Sequence, residues 1–182
     1  MLLLDPDKPA IEYIDGHAHR KMSPKRPHGR LQFRIITMLD AQGGRLGEVG
    51  VEWTTRLSRK GEPKTWLVPD VSWMSYERLL PLSEAEREEP PISPEIVAEI
   101  RSPGESTKRR ERKVEHYFAR GAQLVLDVDP ATRTVRAYDA DGVREFGDVG
   151  TITHAAFPWL ALDCAELFRA LEIPNVGGKA RS

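Results

Sequence analysis

Two acidic residues each interrupt an apolar segment of this sequence. Asp70 follows a proline in VPDVSWMS, residues 68–75, and Glu99 lies within IVAEI, residues 96–100. An unpaired carboxylate taken out of water is costly, so a buried strand normally avoids charge. Mg²⁺ binds hard oxygen ligands, typically one or two carboxylates with water and substrate phosphate. Two acids on neighbouring strands, with a main-chain carbonyl between them, could hold such a metal for phosphodiester hydrolysis.

Each acid also has a structural interpretation. An aspartate after proline is common in turns and caps, and a glutamate in a strand often pairs with arginine. The occurrence of both acids in apolar strands, followed by the basic segment KRRERK at residues 108–113, favours the functional interpretation. A lysine or arginine close to the acids would stabilise the negative charge that develops on the phosphate.

The elements that must position the acids can be predicted from local patterns. AIEYIDG, residues 10–16, is typical of a strand that ends in an Asp-Gly turn, with HAHRKM as its hairpin partner. The next segment, residues 28–42, has apolar residues at helical spacing, and Gly43 and Gly44 end the helix. The apolar positions of this helix are Leu31, Ile35, Met38 and Leu39.

The second half of the chain predicts more strands around one further helix. We expect two strands between residues 47 and 74, a loop over 81–94, and a continuous apolar strand over 95–100. A helix follows, with Ser106 or Thr107 as N-cap, Gly121 at its end, and an apolar stripe of Val114, Tyr117 and Phe118. Two strands, over 122–130 and 134–146, and a last short helix complete the chain. This order predicts an α/β (α+β) fold, a mixed sheet flanked by helices.

Composition indicates a soluble globular protein. The 182 residues are 40% hydrophobic and 30% charged, which predicts one domain over 1–182, with a core over about 10–170 and a short tail over 172–182. No apolar stretch approaches a membrane span, and MLLLDPDKP, with its acids and prolines, does not resemble a signal peptide. The single cysteine, Cys164, excludes an internal disulfide and favours a cytoplasmic location.

Charge is distributed in blocks. The net charge of −1 does not indicate a dedicated nucleic-acid binder, but residues 17–30 and 108–113 are basic while 83–89 are acidic. Such blocks are often simply solvated faces. The basic blocks are also of the kind that contacts a DNA backbone without reading its sequence.

Several motifs together resemble a known family. PDVSWM, PEIVAEIRSP and KRRERKVEHYFARGAQLVLDVDP are similar to the Uma-two family of putative restriction endonucleases, within the PD-(D/E)XK nuclease superfamily. IEYIDGHAHRKMSPKRPHGRL and FPWLALDCAELF resemble the opening and closing segments of that family, so the resemblance covers nearly the whole chain. It implies a restriction-endonuclease-like fold and metal-dependent hydrolysis of DNA, with Mg²⁺, or alternatively Mn²⁺, as cofactor.

The resemblance also implies roles for individual residues. Asp70 would bind the metal, with Glu99 as the second acidic ligand and the main-chain carbonyl of Ile100 beside it. The superfamily places a lysine two residues after the glutamate, but Arg101 stands there and cannot act as a base. Lys113, four residues before Tyr117, matches the lysine that the family carries on the following helix, and we expect it to stabilise charge or orient water.

Other residues complete the expected site. Arg101 would neutralise a phosphate, and the basic segments 17–34 and 108–113 would lie along the DNA backbone. Glu12 could extend the acidic site, and His28 could contact a phosphate or transfer a proton. His17 and His19 alternate on a strand, but without a third ligand nearby they do not favour a zinc site.

Four questions stay open at this level. The loss of the strand lysine and the near-neutral charge also agree with an inactive nuclease-fold protein that serves as a binding or structural module. A two-acid site does not specify its substrate either, so another phosphate ester is a third possibility. Asp127 places a charge inside LVLDV and needs either a partner or an edge position, and a homodimer is expected if both DNA strands are cut.

Overall fold

A central sheet with elements packed on both faces organises this protein, whose computed structural model describes residues 11–173. The helices and strands are, in chain order, β1 (Ile11–Ile14), β2 (His17–Arg20), α1 (Arg26–Gly43), β3 (Gly47–Val51), β4 (Thr55–Arg56), β5 (Trp66–Leu67), β6 (Val71–Ser75), α2 (Tyr76–Leu79), α3 (Glu84–Glu88), β7 (Ile96–Ile100), α4 (Thr107–Ala119), β8 (Leu124–Asp129), β9 (Thr134–Asp139), β10 (Gly142–Phe146), β11 (Thr151–His154), β12 (Phe157–Asp163) and α5 (Cys164–Arg169).

The central sheet has six strands in the order β10-β9-β8-β7-β6-β3. Strands β7 and β8 are parallel, and every other neighbouring pair in this sheet is antiparallel. A parallel pair needs a crossover connection, and α4 provides it between β7 and β8. The prediction of a mixed sheet flanked by helices is therefore confirmed, and with it the α/β (α+β) fold class.

Each face of the central sheet buries its own apolar core. On one face, α1 packs with the β11–β12 hairpin and α5, and the predicted apolar positions of α1 are all buried. The ring of Trp73 lies there, with ring centroids 5.7 Å from Phe157 and 4.9 Å from Trp159. The opposite face is covered by α4, whose Tyr117 packs with Val97 and Val125 of the sheet. The two faces therefore follow the period-two alternation of β7 and β8.

A second sheet, in the order β2-β1-β5-β4, lies beside α4. Its first two strands form the predicted hairpin, in which Asp15 and Gly16 adopt φ angles of 50° and 84°. Both residue types tolerate the left-handed backbone region that such a turn requires. Along β1, Glu12 and Ile14 are buried, so this sheet directs one carboxylate toward the interior.

Helix α4 begins and ends as its sequence predicts. Of the two candidate N-caps, Ser106 is the residue whose hydroxyl accepts a hydrogen bond, from the backbone N–H of Arg109. Gly121 follows the helix with a φ of 103°, a conformation that glycine adopts without steric cost. Lys113 and Tyr117 lie one turn apart and are both buried.

Three boundary predictions are wrong, and strand β12 is an addition to the predicted elements. Residues 81–94 are not only loop, because a capping box between Ser83 and Glu86 starts the short α3. Residues 47–74 form four strands rather than two. The first predicted strand is divided into β3 and β4 at Glu52, whose φ is 49°. The second is divided into β5 and β6 around Pro69, which has no backbone N–H to donate to a neighbouring strand. Residues 134–146 form a hairpin rather than one strand, since Gly142 turns the chain. FPWLALD, before the last helix, is strand β12.

Among the helices of residues 11–173, none combines the length and apolar composition that crossing a membrane requires. The segment MLLLDPDKP and most of the predicted tail lie outside the described residues.

Candidate active site

Asp70 and Glu99 occupy facing positions where β6 and β7 meet. The two strands are antiparallel, with Val71 opposite Ala98, so the residue before β6 lies opposite Glu99. Asp70 itself is only 2% exposed. The strand pairing thus brings together the two acids that the sequence predicts, at the end of the sheet nearest to β1 and β2.

Asp70 is held by four hydrogen bonds or ionic contacts. Its Oδ2 accepts a hydrogen bond from the backbone N–H of Ile100 at 2.7 Å and lies 3.2 Å from His28 Nε2. Lys21 donates to Oδ1 at 2.7 Å, and Gln32 donates to the backbone carbonyl at 3.0 Å. Burial alone would raise the pKa of Asp70, but His28 and Lys21 outweigh it and hold that pKa well below its usual range. Asp70 is therefore a fixed anion.

Glu99 is buried between a phenol and an ammonium group. Tyr117 donates its hydroxyl hydrogen to Oε1 at 2.6 Å, and Lys113 Nζ lies 2.7 Å from Oε2. Burial raises the pKa of Glu99 to about 8 against the attraction of Lys113, and repulsion from Asp70 and Glu12 adds to the increase. Burial and the negative charges of Asp70 and Glu12 thus disfavour the ionised form of Glu99.

Lys113 connects Glu99 to Glu12. Its Nζ lies 3.0 Å from Glu12 Oε1, and its side chain is only 3% exposed. Burial would lower the pKa of Lys113, but Glu99 and Glu12 outweigh it and raise that pKa well above the usual value. Glu12 Oε1 also accepts a hydrogen bond from the backbone N–H of Val68 at 3.0 Å, which fixes β1 beside β5. We call these residues, Glu12, Lys21, Asp70, Glu99 and Lys113, the acid–lysine cluster.

The acid–lysine cluster forms the floor of a cleft with a volume of about 230 Å³. Met22, Ser23 and Pro24 of the β2–α1 connection line the cleft. Ser102, Glu105 and Arg109, before and at the start of α4, line it as well.

Most predicted site residues meet at this cleft. Glu12, His28, Asp70, Glu99, Ile100 and Lys113 all line it. His19 lies opposite Glu12 in the β1–β2 pair and lines the cleft too, whereas His17 lies opposite Ile14. No group of three His, Cys, Asp or Glu side chains placed to hold a metal ion occurs among residues 11–173.

Arg101 does not join the cleft. It donates two hydrogen bonds to Asp127, at 2.9 and 2.6 Å, and one to Asp129 at 3.0 Å. Its pKa is raised, chiefly by the hydrogen bonds to Asp127. The guanidinium of Arg101 is thus bound to two acids of β8 and is not directed into the cleft, and the expected contact with a phosphate stays a prediction. The same contacts answer the question about Asp127, which is buried with partners rather than at an edge.

The basic block of α4 is also largely paired. Arg112 donates to Asp15 and Glu115, and Arg110 Nε lies 3.8 Å from Asp127. Arg109, 3.4 Å from Glu105, is the arginine of this block that lines the cleft. The contact of this block with a DNA backbone stays a prediction, and Arg109 is its arginine at the cleft.

Sequence reasoning missed two members of the site. Lys21 lies in a basic segment to which the sequence assigns no individual role for this residue. The available signal was its spacing two residues after His19, since residues i and i+2 share a face of a strand and both line the cleft. Tyr117 was assigned to an apolar stripe. Its hydroxyl was the signal for a second role, because a buried phenol usually finds a hydrogen-bond partner. Burial and the neighbouring carboxylates raise the pKa of Tyr117 well above its usual value, so it stays a donor.

We expect Tyr117→Phe to lower the free energy of unfolding by about 1–2 kcal/mol, because a hydrogen bond to a buried carboxylate is lost while the ring still fills the core. Chemical denaturation monitored by tryptophan fluorescence measures the change. Tyr76→Phe is the matched control, since Tyr76 is 39% exposed. An equal stability of the two variants would contradict a role for the Tyr117 hydroxyl.

Comparison with known proteins identifies the fold and the family of this chain. None of the curated proteins matches the sequence. Among solved structures, a crystal structure of a putative nuclease belonging to DUF820 from Anabaena variabilis is similar, with a TM-score of 0.77 and 24% identity. The match covers 90% of this chain and 92% of the other, so the two share one fold. The Uma2 family model, described as putative restriction endonuclease, matches residues 1–165, and the chain therefore belongs to this family.

Proposed function

We propose that the protein is a metal-dependent endonuclease that hydrolyses phosphodiester bonds of DNA. The observation that carries this proposal is the facing pair of Asp70 and Glu99 at the floor of an open cleft, each carboxylate in contact with a lysine. Membership of a family of putative restriction endonucleases supports a nucleic acid as substrate. Arg20, Lys21, Arg109 and Lys113 line the cleft beside its acids and supply positive charge for a polyanion.

The residues present fit Mg²⁺. This ion typically takes one or two carboxylates and completes its shell with water and substrate phosphate, so a third acidic side chain is not required. Asp70 and Glu99 would hold it, with the backbone carbonyl of Ile100 beside them. The acid–lysine cluster contains three carboxylates against two ammonium groups, an excess of negative charge that a cation would balance. Mn²⁺ accepts the same oxygen ligands.

When bound, the metal would polarise the phosphoryl oxygen and lower the pKa of a water ligand. The protein's own groups hold the ligands in place. The backbone N–H of Ile100 and the ring of His28 orient Asp70, and the Tyr117 hydroxyl orients Glu99. Lys113 forms ion pairs with both Glu99 and Glu12 and so connects β7 with β1 at the cleft.

An inactive nuclease-fold module is the second candidate. The observation in its favour is that Arg101, at the position of the superfamily's strand lysine, is bound to Asp127 and Asp129. A protein of this kind would bind DNA without metal-dependent cleavage. The two candidates therefore differ in turnover and not in fold.

Plasmid cleavage tests the proposal. We expect wild-type protein to nick supercoiled DNA with Mg²⁺ or Mn²⁺ and to stop when EDTA is added. Glu99→Gln, which keeps the size of the side chain and removes the charge, should lower the rate at least about 10²-fold. Glu111→Gln is the matched control, because Glu111 is exposed on α4.

The products carry further information. Nicked circles indicate one active site per binding event, and linear DNA formed without a nicked intermediate indicates a dimer that cuts both strands. Metal binding by calorimetry, without cleavage of any DNA by the wild type, would favour the inactive module. The absence of both metal binding and cleavage would overturn the proposed function.

A further inference from the structure

Lys21 brings a second ammonium group to the site of Asp70 and Glu99, although it is distant from both in the sequence. It is the residue after β2, and its Nζ donates to Asp70 Oδ1 and to the backbone carbonyl of Val68, both at 2.7 Å. Two acceptors use two of the three N–H bonds of a lysine ammonium. The residue lines the cleft, and its third N–H leaves a donor for a further partner there.

The two lysines of the acid–lysine cluster differ in accessibility. The side chain of Lys113 is 3% exposed, and its ammonium group is enclosed by Glu12 and Glu99. The side chain of Lys21 is 15% exposed and has one carboxylate partner. Arg101 is excluded from the cleft by its bonds to Asp127 and Asp129. Of these three cations, Lys21 is therefore the one that a phosphate group in the cleft can contact without breaking an ion pair between two buried elements.

We propose that Lys21 is a catalytic residue, which donates a hydrogen bond to a non-bridging oxygen of the scissile phosphate. The inference rests on the proposed function and assigns Lys113 to the positioning of Glu99 instead. An ammonium group supplies a compact charge with rotatable donors. Lys21 can therefore keep its hydrogen bond to Asp70 and donate another to a phosphate oxygen. The interaction strengthens as negative charge develops on the phosphoryl oxygens, which is the condition for a contribution to the rate.

Lys21→Gln tests the assignment, because glutamine keeps a donor for the Val68 carbonyl and removes the charge. At saturating Mg²⁺ we expect the nicking rate to fall about 10²-fold. The affinity for Mg²⁺, measured by calorimetry, should stay equal to that of the wild type or rise, because a competing cation leaves Asp70. Lys21→Arg should recover part of the rate. Lys60→Gln, in the exposed turn between β4 and β5, should match the wild type.

A role limited to holding Asp70 gives a different pattern. Lys21→Gln would then bind Mg²⁺ more weakly, and additional Mg²⁺ would restore its full rate, which overturns the inference. A rate within threefold of the wild type overturns it as well. If neither Lys21→Gln nor Lys21→Arg folds, as judged by circular dichroism, the residue is structural and the inference falls.

The same experiment separates this inference from the proposed function. A wild-type protein that shows no metal-dependent nicking overturns both. A wild type that nicks DNA, together with an unimpaired Lys21→Gln, overturns the assignment of Lys21 alone.

Discussion

Asp70→Asn is expected to lower Mg²⁺-dependent nicking of plasmid DNA by at least about 10³-fold, because metal-assisted stabilisation of a phosphoryl transition state is worth several kcal/mol. The substitution removes a charge and leaves the shape of the side chain. Asparagine can still accept the hydrogen bond that the Ile100 N–H donates to Asp70. The connection between the two strands should therefore survive, and the loss of cleavage should reflect the loss of a ligand.

Calorimetry with Mg²⁺ provides the second measurement for Asp70→Asn. We expect heat of binding with the wild type and none with the variant, while circular dichroism of the two proteins stays the same. Asp141→Asn is the matched control, since Asp141 is exposed in the β9–β10 turn. Undiminished metal binding by Asp70→Asn would show that Asp70 is not a metal ligand, regardless of the cleavage rate.

Arg101→Leu has the largest expected effect on stability. The substitution leaves Asp127, whose side chain is 5% exposed, without its bidentate partner. A buried carboxylate that loses its cation costs about 3–5 kcal/mol. Arg101 is itself 21% exposed and Arg110 lies 3.8 Å from Asp127, so we expect a smaller loss of about 2 kcal/mol in the free energy of unfolding.

A double-mutant cycle isolates the pair. Arg101→Leu combined with Asp127→Leu should be more stable than Arg101→Leu alone, because an apolar pair removes the unpaired charge from β8. Urea denaturation of the four proteins measures the coupling. Arg34→Leu is the control for an exposed ion pair, with Glu166, and should change stability by less than about 0.5 kcal/mol. A coupling of zero would contradict the stabilisation of Asp127 by Arg101.

The result for Arg101 bears on function as well. Its two acidic partners lie on β8, the strand that follows α4 in the parallel crossover. If the double variant folds and retains the nicking activity of the wild type, the position after Ile100 is structural in this protein. Lys21 and Lys113 are then the lysines in contact with Asp70 and Glu99 at the cleft, next to His28, which lies 3.2 Å from Asp70 Oδ2.

Local patterns determined the elements that carry the site. The sequence predicts helix α4 with an N-cap at Ser106 or Thr107 and an end at Gly121, because capping and left-handed glycine conformations depend on a few neighbouring residues. The apolar strand around Glu99 and the spacing of Lys113 and Tyr117 on one helix face are properties of the same kind. The sequence motifs around Asp70, Glu99 and Lys113 also sufficed to indicate the family, which the family model confirms.

Contacts between distant segments were decided only by the tertiary structure. Lys21 reaches Asp70 across 49 positions, and Lys113 reaches Glu12 across 101. Arg101 is the partner of Asp127, because β7 and β8 are parallel and in register at Glu99 and Asp127. Side-chain spacing within a segment follows from local backbone geometry, whereas the register between strands depends on how whole elements pack. For this reason the sequence predicts three acids and one lysine, Glu12, Asp70, Glu99 and Lys113, that the fold brings to one cleft. Only the fold places Lys21 beside Asp70 and pairs Arg101 with Asp127.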